Sequence, residues 1–143
     1  MGWKDKLGYE FEIKKVLPKL EECGLGEYIT YHNDVDPYEW THTKRIGVDL
    51  ILEIGKFKFF VEASYCSKKY YYRRKWFEKC RIPRFEGFPK PNESVYWIVL
   101  TNRPENFNSV KNLAEEFSIN IMSIDNLLTL IANLTITNTD NSN

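Results

Sequence analysis

Residues 47–76 read GVDLILEIGKFKFFVEASYCSKKYYYRRKW, and the fold is decided in this stretch. Two apolar runs, 46–54 and 56–64, are joined tightly around Gly55, which predicts a β-hairpin. Each run holds one acid where a strand should be apolar, Asp49 in VDLIL and Glu62 in VEAS. A carboxylate inside an apolar strand is costly unless it is paired, hydrogen-bonded or metal-bound. On so tight a hairpin, Asp49 and Glu62 fall close together across the ladder, near the end away from the turn. Two convergent carboxylates suit Mg²⁺ or Mn²⁺, which would activate water against a phosphodiester. The plainer reading is that one of them pairs with Lys44 or Arg45.

Working outward, residues 4–23 predict a helix with Tyr9, Ile13, Val16, Leu17 and Leu20 on one face. Pro18 should kink it, and Gly24 and Gly26 should end it. Glu10 and Glu12 border that apolar face on opposite sides, so either could bring a third carboxylate to the strand acids. YITYH (28–32) reads as a first strand and 33–44 as an irregular loop. After the hairpin, a basic aromatic helix is expected from about Ser67 to Arg81, stopped by Pro83. A loop over 85–93 leads to SVYWIVLT (94–101), a continuous apolar strand buried on both faces. An amphipathic helix (104–117), a short strand (INIMSI) and a last helix (NLLTLIANL) capped by Asp125 follow. From Thr135 the composition turns to Asn, Thr, Ser and Asp, which predicts a disordered tail over 135–143. Residues 1–134 therefore read as a single α/β domain, a central mixed β-sheet flanked by helices.

The chain has 143 residues, 43% hydrophobic and 28% charged, with zero net charge. No global field draws it to nucleic acid or membrane, but the charge is unevenly spread. Residues 65–84 carry eight basic side chains against one acid, Glu78, so that segment is +7 and the other 123 residues are −7. A neutral protein with one concentrated basic stretch is suited to meet an anion locally. Within that stretch, Tyr65, Tyr72, Trp76 and Cys80 are close to helical spacing and could form a core face. The opposite face, with Lys69, Arg73, Arg74 and Lys75, would touch nucleic acid, and exposed rings could stack on unpaired bases. Four phosphate contacts would give a slope of about −3.6 for log K against log salt on B-DNA. Cys23, Cys66 and Cys80 show no paired spacing and read as reduced thiols. No signal peptide or membrane-length apolar run is evident, so a cytoplasmic protein without membrane contact is expected.

The order GYE (8–10), GVDLIL (47–52) and FVEAS (60–64) resembles the PD-(D/E)XK nuclease superfamily, whose fold is restriction-endonuclease-like. The likeness is nearest to the Mrr-type restriction endonucleases and the archaeal Holliday junction resolvases. YWIVLTNRPENFNSVKNLAEEFSINIMSIDNLLTLI (96–131) is similar to the Mrr-type ending. The resemblance covers about residues 7–132 and rests on the order and spacing of short motifs. It implies a Mg²⁺- or Mn²⁺-dependent endonuclease acting on duplex or branched DNA by water attack, with no covalent enzyme intermediate. Asp49 and Glu62 would hold the metal, and Glu10 would be the helix carboxylate, with Glu12 the other candidate. A homodimer is admitted, since many relatives cut two strands with two copies, though no stretch of the sequence marks an interface.

The resemblance also calls for a lysine at position 64, where this chain has Ser64. Losing such an electrostatic contact costs roughly a hundredfold to a thousandfold in rate. Lys68, four residues on, is the expected substitute. Two other readings stay open: a nuclease fold kept only for binding nucleic acid, and a protein-interaction domain whose basic segment docks an acidic partner.

Overall fold

The computed structural model describes residues 10–32 and 47–141. The amino-terminal part of the first helix, the loop at 33–44, Lys44 and Arg45 lie outside the described residues.

Five strands form one sheet in the order β1-β2-β3-β4-β5: β1 (Ile29–His32), β2 (Leu50–Ile54), β3 (Phe57–Ser64), β4 (Val95–Thr101) and β5 (Ile119–Met122). The first three make an antiparallel meander, and β3-β4 and β4-β5 pair in parallel. Gly55 (φ 58°) opens the hairpin turn, and Ile54 opposite Phe57 closes it. That backbone conformation is cheap only for glycine, so Gly55 sets the register.

Strand alternation sorts the side chains onto two faces. Leu50, Leu52, Ile54, Phe57, Phe59, Val61, Ile98 and Leu100 line the first face. It is covered by Phe11, Val16 and Leu20 of the first helix and by Leu127 and Ile131 of the last. The second face carries Phe60, Trp97, Val99 and Ile119, covered by Tyr72, Phe77, Phe85, Phe107, Val110 and Leu113. The fold is thus α/β, a five-stranded mixed sheet with helices against both faces.

Four elements depart from the sequence reading. The first helix contains a π-helical turn, Glu12–Val16, followed by α1 (Leu17–Glu22) with Pro18 in its first turn. Proline lacks the N–H that would bond four residues back, and the Leu17 N–H reaches Glu12 O instead. The expected helix over 67–81 is replaced by an irregular segment from Tyr65 to Arg73. Helix begins only with α2 (Arg74–Trp76), continues as a π-helical turn, Phe77–Arg81, and ends in a 3-10 turn, Ile82–Phe85. Tertiary hydrogen bonds hold the irregular segment: Asn102 both accepts from Cys66 N (2.7 Å) and donates to Cys66 O (2.9 Å), and Asn106 donates to Lys68 O (3.0 Å).

The region 104–117 forms a 3-10 turn, Pro104–Val110, and then α3 (Lys111–Glu116). The last helix, α4, spans Ile124–Asn141 and so continues through residues whose composition predicts a disordered tail. Its cap is Ser123, whose Oγ accepts the Asn126 N–H (3.3 Å), while Asp125 lies in the first turn. Among the described residues no helix is long and apolar enough to cross a membrane.

Candidate active site at the carboxyl end of β3

The hairpin brings Asp49 and Glu62 together, as the sequence predicts, and both are buried (7% and 3% exposed). The Leu50–Val61 pairing, extended by one step, would set Asp49 opposite Glu62. The backbone departs slightly from that ladder, because Asp49 N–H donates to Val61 O (2.9 Å). Asp49 and Leu50 therefore share Val61, as in a β-bulge, a device that re-aims a side chain. The Asp49 carboxylate then takes over the strand's bonding role, its Oδ2 accepting the Ala63 N–H at 2.7 Å.

Two residues past Glu62, on the same side of β3, lies the buried Ser64. Between these side chains comes the guanidinium of Arg81, from the π-helical turn that covers the second face. Its Nη2 donates to Ser64 Oγ (2.8 Å) and its Nη1 to Glu62 Oε1 (3.2 Å). The guanidinium also lies over the Trp76 ring, 5.0 Å from its centre. Burial, and then the charge of Asp49, pushes the Glu62 carboxyl well above its ordinary value of 4.5, while Arg81 and Arg84 pull it back. Glu62 Oε2 is buried and has no firm hydrogen-bond partner among the described residues. A proton shared with Asp49 would satisfy it, but two ionised carboxylates offer one another no donor.

A chain of uncharged polar groups continues from Ser64. Cys66 Sγ lies 3.2 Å from Tyr72 OH and 3.7 Å from Thr101 Oγ1, and Tyr70 OH donates to Tyr72 OH (3.1 Å). Burial and the bonds to Cys66 and Tyr70 hold the Tyr72 hydroxyl well above its usual pKa, so it stays protonated.

The remaining sequence candidates are placed elsewhere. Glu10 is half-buried and lines a cleft of about 510 Å³ with Phe11, Lys14, Lys15, Tyr65 and Asn102. Glu12 is the buried helix carboxylate (3% exposed), and it pairs with His32 at 3.1 Å. His32 stands opposite Leu50, the residue after Asp49. Among the described residues no group of three or more His, Cys, Asp and Glu side chains is arranged to hold a metal, so the structure yields an acid pair rather than a triad. Lys68, Lys69, Arg73, Arg74 and Lys75 are all exposed, and Tyr71 rises among them at 56% exposure. Of the residues expected to pack, Tyr72 is buried and Trp76 half-buried, whereas Tyr65 and Cys80 are exposed.

Fold and site together define an α/β domain with a buried carboxylate pair, a guanidinium against it, and a basic surface alongside. Comparison with protein-family models, with curated proteins and with solved structures returns no match.

Proposed function

We propose that this chain is a metal-dependent DNA endonuclease of the restriction-endonuclease-like type, hydrolysing phosphodiester bonds at the Asp49–Glu62 pair. The observation that carries the reading is the pair itself: two buried carboxylates side by side, with Glu62 Oε2 lacking a firm partner. Like charges in a buried site repel unless a proton or a cation lies between them. Mg²⁺ is commonly held by one or two carboxylates, with water and substrate phosphate completing its shell, and this donor set fits that pattern. Asp49 and Glu62 would hold the ion; Mg²⁺ or Mn²⁺ there supplies a positive centre that activates water and offsets phosphate charge.

The protein's own contributions follow from the geometry. Ala63 N–H fixes one oxygen of Asp49, and Arg81 fixes one oxygen of Glu62. Burial by the aromatic segment keeps bulk water from the pair, which strengthens every charge interaction there. The exposed run Lys69, Arg73, Arg74, Lys75 would hold the phosphate backbone beside it, and Tyr71 offers a ring to an unpaired base. Asp49→Ala should abolish Mg²⁺- or Mn²⁺-dependent cutting of duplex or four-way-junction DNA while leaving DNA binding intact. Unchanged cutting would remove the pair from the mechanism.

One observation favours a second reading, a nuclease-like fold that binds nucleic acid without cutting it. The Arg81 guanidinium already neutralises part of the pair's charge, as a cation would. Salt-sensitive binding with no cleavage in either metal would establish that reading.

A further inference from the structure

We infer that Arg81 is the phosphate-facing cation of this site and that Ser64 is the seat that accepts its guanidinium. The inference rests on the nuclease reading and deepens it, since it names the residue that stabilises charge on the substrate phosphate.

Phosphoryl chemistry beside two carboxylates needs a fixed positive group to offset charge developing on the phosphate oxygens. Lysine at position 64 would fill that role from the strand, but the chain has serine there. A serine hydroxyl is neutral, and this one is buried against the end of β3. Its bond from Arg81 Nη2 at 2.8 Å is the shorter of the two contacts the guanidinium makes here. Position 64 therefore holds the side chain that carries the charge, rather than carrying it.

The guanidinium is held on several sides. Ser64 and Glu62 take two nitrogens, Trp76 stacks beneath, and the side chain is only 15% exposed. Arg81 Nε is buried with no acceptor among the described residues. Arginine presents five donors in a planar fork, which matches phosphate oxygens two at a time. A buried, unsatisfied donor next to the acid pair is what an incoming phosphate would complete. The exposed cations cannot serve in this way, since Lys68 and its neighbours lie in solvent, whereas Arg81 touches the acid directly.

The neighbouring backbone is shaped around this placement. Gly47 has φ 123°, and a Cβ there would come within 2.6 Å of Arg84 O. Glycine at 47 thus lets the 3-10 turn that follows Arg81 lie directly on the chain leading into Asp49.

The test is a swap of the two positions, read on the whole chain with Mg²⁺ and Mn²⁺. Arg81→Gln should lower the cleavage rate roughly a hundredfold to a thousandfold while DNA affinity in Ca²⁺ and Mn²⁺ binding by calorimetry are retained. Adding Ser64→Lys to Arg81→Gln should restore a large part of the lost rate, and Ser64→Lys alone should not exceed wild type. Arg81→Lys provides a second variant that keeps the charge and should fall between wild type and Arg81→Gln.

Wild-type rates in Arg81→Gln, or a double variant no faster than Arg81→Gln alone, would overturn the inference. Loss of Mn²⁺ binding in Arg81→Gln would also overturn it, showing that Arg81 merely props the carboxylates. If the wild type cuts no DNA in either metal, the nuclease reading itself fails and this inference falls with it.

Discussion

The two faces of the sheet are built from the same strands but are closed in different ways. The first face is closed mainly by aliphatic and phenylalanine side chains from the first and last helices, with the Glu12–His32 pair beside Leu50 at its β1 edge. The second is closed by aromatics interleaved with Glu62, Ser64, Arg81, Cys66 and Tyr72. Burying an ion pair on one face is weak evidence of stability, because removing two charges from water offsets much of their attraction. The first face, with its larger run of fully buried aliphatic side chains, can thus supply stability while the second carries the carboxylate pair and Arg81.

The comparison breaks most sharply at the first face. Phe59 is fully buried there and stacks on Tyr96 (5.3 Å), so Phe59→Ala should cost about 3–5 kcal/mol in urea unfolding. A cost below about 1 kcal/mol would mean that this face is not the stabilising one. Gly47→Ala, at the entry to Asp49, should cost about 1–3 kcal/mol and lower cleavage, because it strains the backbone and pushes the Arg84 segment away.

A pH effect comes next and is read at Glu62 on the second face. In metal-free protein the native Glu62 keeps its proton above 4.5, where the unfolded chain has lost it. Its contribution to stability is therefore fully present below about 4.5 and is lost as pH rises through the raised native value. Glu62→Gln should flatten that decline in a denaturant series run in EDTA, and an unchanged slope would show that Glu62 titrates normally. The smallest effect is at the surface. Arg74 pairs with Glu78 at 2.8 Å in solvent, so Arg74→Ala should cost no more than about 0.5 kcal/mol. It should nonetheless reduce the salt slope of DNA binding by about 0.9 if Arg74 meets a phosphate.

Much of this division was legible in the sequence. Gly55 between two alternating runs gave the hairpin, and the hairpin gave Asp49 beside Glu62. The apolar run 94–101 announced a doubly buried strand. Helical spacing puts Glu10 and Glu12 on opposite borders of the apolar face, and it is the resemblance that favours Glu10 as the helix carboxylate. The π-helical turn inserts one residue into that spacing, so Phe11 joins Val16 and Leu20 in the core and the buried acid is Glu12. Nothing local announces that turn except Pro18.

The irregular course from Tyr65 to Arg73 was hidden for another reason. It is held by Asn102 and Asn106, more than thirty residues away in sequence, and not by its own propensity. Arg81 and Ser64 are likewise 17 residues apart. Only the placement of a lone arginine between Cys80 and Ile82, away from the KK and RRK runs, set it apart.

That separation has a kinetic meaning. A cation two residues from Glu62 on the same strand would be present whenever the strand is formed. Arg81 is 19 residues from Glu62 and arrives on a segment of short π and 3-10 turns, anchored by Phe77 and Phe85. Such short elements open locally at less cost than a central strand. Each molecule would then alternate between a docked form, with acid and cation assembled, and an undocked form with the acids alone. The observed rate would be the intrinsic rate multiplied by the docked fraction. A substrate that bridges the basic segment and the acid pair would raise that fraction by binding, so recognition and assembly of the site would be one event.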